Sequence, residues 1–188
     1  MDKYYYLISQ LPALFFDRAM PITIERFLEE AGKWLSGKDY QMLRQVSWKT
    51  GTDDLQKPIL WCRYRNFDQR FQSELVRWRQ SRKEGQEYKS QLFPQALVKE
   101  GNPLEIEKKL MNFRWKVLDE LEREHHFDLS SCISYYIKLQ MMDRLSRFDK
   151  DKGLEKFRQV TQNNQQNNSQ SNTDVASQSA ERTGHTNQ

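Results

Sequence analysis

The sequence predicts an all-α protein, a helical bundle built on a long central αα-hairpin and followed by a disordered C-terminal tail. Three observations lead to this prediction. Apolar residues recur at helical spacing through most of residues 1–160, capping residues precede several of these segments, and residues 161–188 are almost without apolar side chains. Of the 188 residues 37% are apolar, which is enough for one compact core.

Capping residues predict two short helices in the N-terminal part. Thr23 precedes the segment IERFLEEAGKWL, whose apolar residues recur at helical spacing. Ser36 precedes GKDYQMLRQV, and Asp39 three residues later completes a cap-like pattern. Turn-forming residues then predict a loop over residues 47–58.

An arginine-rich segment follows this loop. Residues 59–64 are compatible with a strand, whereas Phe67, Phe71, Leu75 and Trp78 keep helical spacing. Residues 85–102 are predicted to form an irregular connection.

Two long antiparallel helices joined by a short turn are predicted next. Asn102 and Pro103 are an N-cap followed by proline at the first helical position. The first helix carries two apolar stripes about 120° apart, which suits a central bundle helix with two neighbours. The stripes are Ile106, Leu110, Phe113, Val117 and Leu121, and Leu104, Met111, Trp115 and Leu118.

Glu107 and Arg114 lie between the two stripes, so each is expected to need a polar partner on another element. Asp128 is expected to cap the second helix, which is apolar nearly all round. A short basic helix, DKGLEKFRQV, is predicted to close the folded part.

The chain is therefore expected to divide at about residue 160. Residues 1–160 form the helical domain, either as one body or as two lobes of residues 1–84 and 102–160. In residues 161–188, 20 of 28 side chains belong to Gln, Asn, Ser or Thr, which is too polar to offset the entropy of ordering.

The aromatic start YYYLISQLPALFFD is not expected to be a signal peptide or a membrane span. Ser9, Gln10 and Pro12 interrupt it, and no stretch of the chain approaches the ~18 to 20 apolar residues that a span requires. Pro12 is predicted to end one short element and start another. We expect four residues of this segment to pack on the hairpin of residues 103–148: Tyr5, Leu7, Leu11 and Leu14.

No catalytic, cofactor or metal site is predicted. The sequence has no glycine-rich phosphate-binding motif and no nucleophile with an orienting base. Cys62 and Cys132 are predicted to be buried thiols in a reducing compartment. The adjacent His125 and His126 are expected at a helix end, interacting with last-turn carbonyls.

One segment indicates a charged partner. Residues 63–83 contain seven basic and two acidic residues, interleaved with aromatic ones. Such a pattern suits single-stranded nucleic acid, an acidic protein surface, or a solvated face without a partner. The helical spacing of the aromatic residues favours their burial, with the arginines facing outward.

Three stretches resemble a known family: YYYLISQLPALFFD, NPLEIEKKLMNFRWKVLDELEREHHFDL and YYIKLQMMDRLSRFDKDKGLEKF. They look like the uncharacterised bacterial proteins encoded within V-type ATPase operons. Those proteins are similar in turn to the C subunit (eukaryotic d subunit) of V/A-type ATPases. The resemblance spans most of residues 1–160.

The resemblance implies a non-catalytic helical connector that acts through protein contacts. The full subunit forms a funnel-shaped cap between rotor ring and central stalk, whereas this chain has roughly half its length. An abbreviated connector, or an assembly or regulatory factor, is therefore expected. Its partners would be stalk or rotor-ring subunits, with no small-molecule substrate, and its location cytoplasmic, on the inner membrane through the complex alone.

The resemblance and the charge pattern together single out six residues as candidates for partner contacts or structural roles. They are Arg70, Arg77, Arg79, Glu107, Arg114 and Trp115. Contact with an acidic stalk or ring subunit is the hypothesis for the arginines. A core position is expected for Trp115, and helix-to-helix pairing for Glu107 and Arg114. Nucleic-acid binding through residues 63–83 is the alternative function.

Overall fold

The computed structural model describes residues 2–48, 58–148, 158 and 161. This part of the chain contains seven helices and no strand, which confirms the all-α prediction. The helices are α1 (Asp2–Gln10), α2 (Ile24–Trp34), α3 (Gly37–Gln45), α4 (Ile59–Lys83), α5 (Ala96–Lys99), α6 (Pro103–Glu122) and α7 (Leu129–Ser146).

The chain divides into two units, Met1–Arg147 and Phe148–Gln188, and all seven helices belong to the first. In the second unit, the Thr161 hydroxyl donates to the Arg158 carbonyl at 3.1 Å. The rest of the predicted tail, most of the short basic helix and residues 49–57 of the predicted loop lie outside the described residues.

Four helices begin at the predicted capping residues. In each, the side chain of the N-cap accepts a hydrogen bond from the backbone N–H three residues later, which satisfies a donor that the helix leaves open. The caps are Thr23 of α2, Ser36 of α3, Asn102 of α6 and Asp128 of α7.

The start of α6 is the most tightly specified of these. The Glu105 carboxylate in turn accepts a hydrogen bond from the Asn102 backbone N–H at 3.2 Å and so completes a capping box. Gly101 precedes it with φ +114°, and a Cβ there would lie 2.6 Å from the Glu105 carboxylate. A side chain at residue 101 would therefore be strained and would also disturb the cap.

Helix α7 lies at the centre of the bundle, because it contacts α1, α2, α3, α4 and α6. The sequence placed α6 there, but α6 contacts only α4, α5 and α7. The difference follows from the apolar side chains of α7, which point in all directions. Cys132, Ile133, Ile137 and Leu139 are all fully buried.

The two stripes of α6 contribute to two clusters of apolar side chains, and Leu121 of the first stripe packs on the larger one. Met111, Trp115 and Leu118 belong to the larger cluster, which also contains the core residues of α2, α4 and α7. Leu110 belongs to the smaller one, together with Phe71 and Leu75 of α4 and Phe93 and Val98 of the 84–100 segment. Leu104, predicted in the second stripe, is instead 36% exposed because it lies in the first turn, beyond the larger cluster.

Helix α4 runs without interruption through 25 residues, so the strand alternative for residues 59–64 is wrong. Leu60, Trp61 and Tyr64 already lie on the face that carries Phe71, at helical spacing. Residues 85–102, predicted to be irregular, contain the short helix α5.

One buried ion pair joins α4 to α6. Arg114 Nε donates to Asp68 Oδ1 at 2.7 Å, and both side chains are almost fully buried. Gln72 Nε2 donates to the other carboxylate oxygen at 2.6 Å, and the Arg114 guanidinium lies 4.6 Å from the Phe71 ring centroid. Burial and the Asp68 carboxylate raise the pKa of the adjacent Tyr64 above its ordinary value.

The N-terminal segment packs as predicted at three of its four named positions. Leu7 is buried, and Leu11 and Leu14 pack half-buried on the larger cluster. Tyr5 was also predicted to pack on the hairpin of residues 103–148, but it is 52% exposed and meets that hairpin at its turn. It lies nearly 200° around α1 from Leu7, so it faces outward and touches the Phe127 ring at 4.9 Å.

Pro12 follows the end of α1, as expected, but no new helix starts there. Residues 11–23 are irregular, and α2 begins only after the Thr23 cap. The Pro12 carbonyl accepts a hydrogen bond from the Tyr135 hydroxyl at 2.9 Å, which ties this segment to α7. Burial raises the pKa of Tyr135 to about 12.

Removing one partner of the buried ion pair is expected to lower the free energy of unfolding far more than removing one partner of an exposed ion pair. Arg114→Ala leaves the Asp68 carboxylate buried without its cation, so the free energy of unfolding should fall by about 3–5 kcal/mol. Urea unfolding followed by circular dichroism measures the change.

Lys33→Ala is the matched control, since Lys33 pairs with Glu30 while remaining 57% exposed, and it should cost at most about 1 kcal/mol. The double variant Asp68→Leu/Arg114→Met should lose less than the two single variants summed, because no charge is then left unpaired. Equal losses for Arg114→Ala and Lys33→Ala would contradict the role assigned to the pair.

Candidate protein-interaction groove

Three of the six predicted site residues have structural roles. Trp115 is 6% exposed in the larger cluster, and Arg114 pairs with Asp68 on α4. Glu107 accepts hydrogen bonds from the guanidinium of Arg144 on α7, the shorter at 3.2 Å. The expectation that Glu107 and Arg114 each need a polar partner on another element is confirmed.

The other three predicted residues, all on α4, do not lie together. Arg70 and Arg77 are two turns apart on one flank and line a shallow hollow with Glu74, which lies 3.6 Å from Arg77. Arg79 lies on the opposite flank and lines a different groove. The structure therefore separates Arg77 from Arg79, although they are only two residues apart.

That groove runs between the end of α4 and the start of α6 and has a volume of about 620 Å³. Its floor is apolar, with Val98 and Leu110 buried and Ile106 half-buried. Its α4 edge carries exposed cations. The lining residues are Trp78, Arg79, Arg82, Lys83, Val98, Pro103, Ile106, Glu107 and Leu110.

The groove lies over the smaller cluster, where the end of α4 meets the start of α6 because the two helices are antiparallel. Arg114 contacts Asp68, and the ring centroids of Phe113 and Phe71 lie 5.4 Å apart. Residue numbers therefore fall along α6 in the direction in which they rise along α4. Beside the groove, α6 carries Pro103, Ile106 and Glu107, and Trp78 of α4 lines the space without filling it. Helix α5 closes the base through Val98.

Glu74 holds the segment that leads to α5. Its carboxylate accepts hydrogen bonds from the Tyr88 hydroxyl at 2.9 Å and the Ser90 hydroxyl at 2.8 Å. The Tyr88 carbonyl accepts from Gln95 Nε2 at 2.8 Å, just before α5. The pKa of Glu74 is lowered, mainly by the hydrogen bond from Ser90. The Tyr88 hydrogen bond and the Arg77 charge lower it further, whereas partial burial acts in the opposite direction.

The cations at the rim lack acidic partners in the part of the chain that the structure describes. Arg79, Arg82 and Lys83 are exposed and form no ion pair there, although Arg82 lies 5.4 Å from the Trp78 ring centroid. The C-terminal end of α4 supplies only about half a negative charge through its dipole. Three cations without a described ion pair therefore leave this edge positive.

The described residues do not assemble a metal site, since no three His, Cys, Asp or Glu side chains within them are grouped suitably. His125 Nδ1 lies 2.7 Å from Asp128 Oδ2, so its side chain pairs with a carboxylate and not with the last-turn carbonyls we predicted. Asp128 is the N-cap of α7 and stands three residues after His125, so its carboxylate lies within reach of the His125 ring.

Cys132 is buried as predicted, and burial, with the nearby Asp128 and Asp39 carboxylates, raises its pKa to about 12. The same prediction is wrong for Cys62, which is exposed. Its neighbour Trp61 occupies the buried face of α4, and the next residue in a helix points about 100° away.

The six candidate residues named from the sequence did not include Asp68, Arg82 or Lys83, although all three lie in the segment of residues 63–83. A signal for Asp68 was present, because it stands four residues after Tyr64 and three before Phe71, on the apolar face of α4. A carboxylate at such a position requires a buried partner. Arg82 and Lys83 belong to the basic segment of residues 63–83, but they occupy the last turn of a helix, where cations are ordinary, so nothing set them apart within it.

A protein-family model described as "Protein of unknown function (DUF2764)" matches residues 73–167. The chain belongs to the DUF2764 family. All the residues that line the groove lie within the matched stretch, whereas the first part of α4, with Asp68 and Arg70, precedes it. No curated protein and no solved structure matches this DUF2764 protein.

None of the helices described for this DUF2764 protein is long and apolar enough to cross a membrane.

The stabilisation that Glu74 provides through its hydrogen bonds to Tyr88 and Ser90 is expected to depend on pH. The folded-state pKa of Glu74 is below the ordinary value of 4.5, so this stabilisation is fully present above that pH. It is lost as the pH falls through the lowered folded-state pKa. Wild type should therefore exceed Glu74→Gln in free energy of unfolding at pH 7, and the gap should narrow below about pH 4.5.

Urea unfolding of both proteins across this pH range provides the measurement. Glu120→Gln serves as control, because Glu120 is exposed on α6 and makes no described ion pair, and its gap from wild type should stay near zero throughout. A gap for Glu74→Gln that is the same at pH 7 and pH 3 would show that its charge is not what holds the segment.

Proposed function

We propose that this DUF2764 protein is a non-catalytic subunit or accessory factor of a V-type ATPase, acting through protein–protein contacts. The observation that carries the proposal is the groove between α4 and α6, with its apolar floor and its three cations without described acidic partners. An apolar centre with a charged rim is the usual composition of a protein-binding surface. The resemblance of the sequence to proteins encoded in V-type ATPase operons supports the choice of complex.

The helices around the groove suit a connector. Helix α4 has 25 residues, about 37 Å at 1.5 Å per residue, and packs along α6 and α7. On the hairpin, Lys138 of α7 pairs with Asp119 at 2.7 Å and with Glu122, both on α6. Paired and packed helices of this kind would present a binding surface in a constant geometry.

Nucleic-acid binding through residues 63–83 has less support. Single strands bind to aromatic rings on which their bases can stack, together with phosphate-binding cations. Tyr64 and Phe71 are buried, and Phe67 is half-buried, 5.6 Å from the Phe71 ring. The cations of α4 are exposed, but most of the aromatic rings that would accompany them are committed to the core.

Affinity purification of the tagged full-length chain from detergent-solubilised membranes of its native host tests the proposal. Mass spectrometry should find V-type ATPase subunits enriched over a mock purification with the tag alone. Recovery of nucleic acid that salt releases, without ATPase subunits, would instead support the alternative and overturn the proposal.

The two flanks of α4 can be tested separately because Arg77 and Arg79 face different surfaces. Arg79→Glu should reduce the recovery of ATPase subunits several-fold, since it reverses charge at the groove. Arg77→Glu, with the same charge change on the other flank, is the matched control and should have a smaller effect. Circular dichroism should show unchanged helicity in both, and equal recovery from Arg79→Glu and wild type would argue against the groove as the contact.

A further inference from the structure

We infer that the groove between α4 and α6 binds a short amphipathic helix of a partner protein, oriented with an acidic edge against the end of α4. The inference rests on the proposed function for the identity of the complex, but the groove itself specifies the chemistry of the occupant. The floor, the two edges and the opening of the groove each constrain what this occupant can be.

The floor sets the length and apolar pattern of the occupant. From Pro103 to Leu110, α6 rises about 10 Å, or roughly two helical turns. An amphipathic helix places apolar side chains at positions i, i+3 or i+4, and i+7 along one face over this distance. A volume of about 620 Å³, lined by Val98, Ile106 and Leu110, has room for such side chains.

The two edges differ in charge and so give the occupant a direction. The α4 edge carries Arg79, Arg82 and Lys83, none of which forms an ion pair with a described carboxylate. The α6 edge carries Glu107, which Arg144 already neutralises. Acidic residues of the occupant are therefore favoured along one edge only, the one that faces α4.

The opening favours a peptide over a small molecule. Small-molecule sites bury most of the ligand surface, about 70–90%. Here Arg79, Arg82, Lys83 and Pro103 are all exposed, so the groove is open along its length. A helix can bury its apolar face on the floor and leave its opposite face in water, which is how helix-binding grooves work.

The experiment uses synthetic peptides of about 15 residues, cross-linked to hold the helix. The probe peptide carries leucines on one face and glutamates along one adjacent edge. One control peptide replaces the glutamates by glutamines, and another by lysines. Fluorescence anisotropy with the full-length protein should give the tightest binding for the acidic peptide, with affinity falling as salt is raised.

The protein variants separate a defined site from general charge attraction. Arg79→Glu/Arg82→Glu/Lys83→Glu should weaken binding of the acidic peptide by roughly tenfold or more, from three exposed charge pairs. The matched control is Lys38→Glu/Lys89→Glu/Lys116→Glu, three exposed lysines without described ion pairs. Both triple variants change the net charge from +4 to −2, by three reversals of two units each, and the control should bind like wild type.

A third variant tests the floor. Ile106→Ser should weaken all three peptides together, because it removes apolar contact without changing charge. Circular dichroism checks its fold, and the charge variants provide the test if this variant unfolds.

Three outcomes would overturn the inference: no binding of the acidic peptide to wild type, equal loss in both triple variants, or preferential binding of a fatty acid such as laurate. These outcomes are distinct from failure of the proposed function. ATPase subunits that purify equally with wild type and the groove variant would leave the function standing and remove the groove as its site. Peptide binding without any ATPase subunit in the purification would leave the groove standing as a helix-binding site and remove the proposed function.

Discussion

The arrangement of this protein depends on the buried contact between Asp68 and Arg114. A buried carboxylate or guanidinium left without its partner is strongly destabilising, so the pair favours the alignment of α4 against α6 that brings the two groups to 2.7 Å. Gln72 and the ring of Phe71 complete the surroundings of the two charges. Because the alignment is held here, the end of α4 lies against the start of α6, and the side chains that the two helices carry there line the groove.

The groove is a consequence of local sequence at three places. The capping box and Gly101 determine where α6 begins, Glu74 holds the segment that brings α5 beneath the floor, and the last two turns of α4 supply the cations. These features come from separate parts of the chain and converge only in space. The surface they form is apolar in its centre and positive at one edge, which is why a protein partner with complementary charge is the proposal made for it.

Much of the fold could be predicted because its signals are local. Thr23, Ser36, Asn102 and Asp128 satisfy open N–H groups within their own helix, so their effect does not depend on distant residues. The candidate site was less accessible to such reasoning. Arg77 and Arg79 were grouped because they are close in sequence, although two residues in a helix point about 200° apart, and only the positions of α5 and α6 show that they border different surfaces.

The sequence by itself determined most of the long helices, four of their caps and the need of Glu107 and Arg114 for polar partners, because periodicity and unmet hydrogen bonds act over a few residues. The tertiary structure alone decided that Asp68 and Arg144 are those partners, that Tyr5 and Cys62 face outward, and that α7 and not α6 occupies the centre. Such choices depend on which faces of separate helices meet. That is set by the packing of the whole core and not by any one segment.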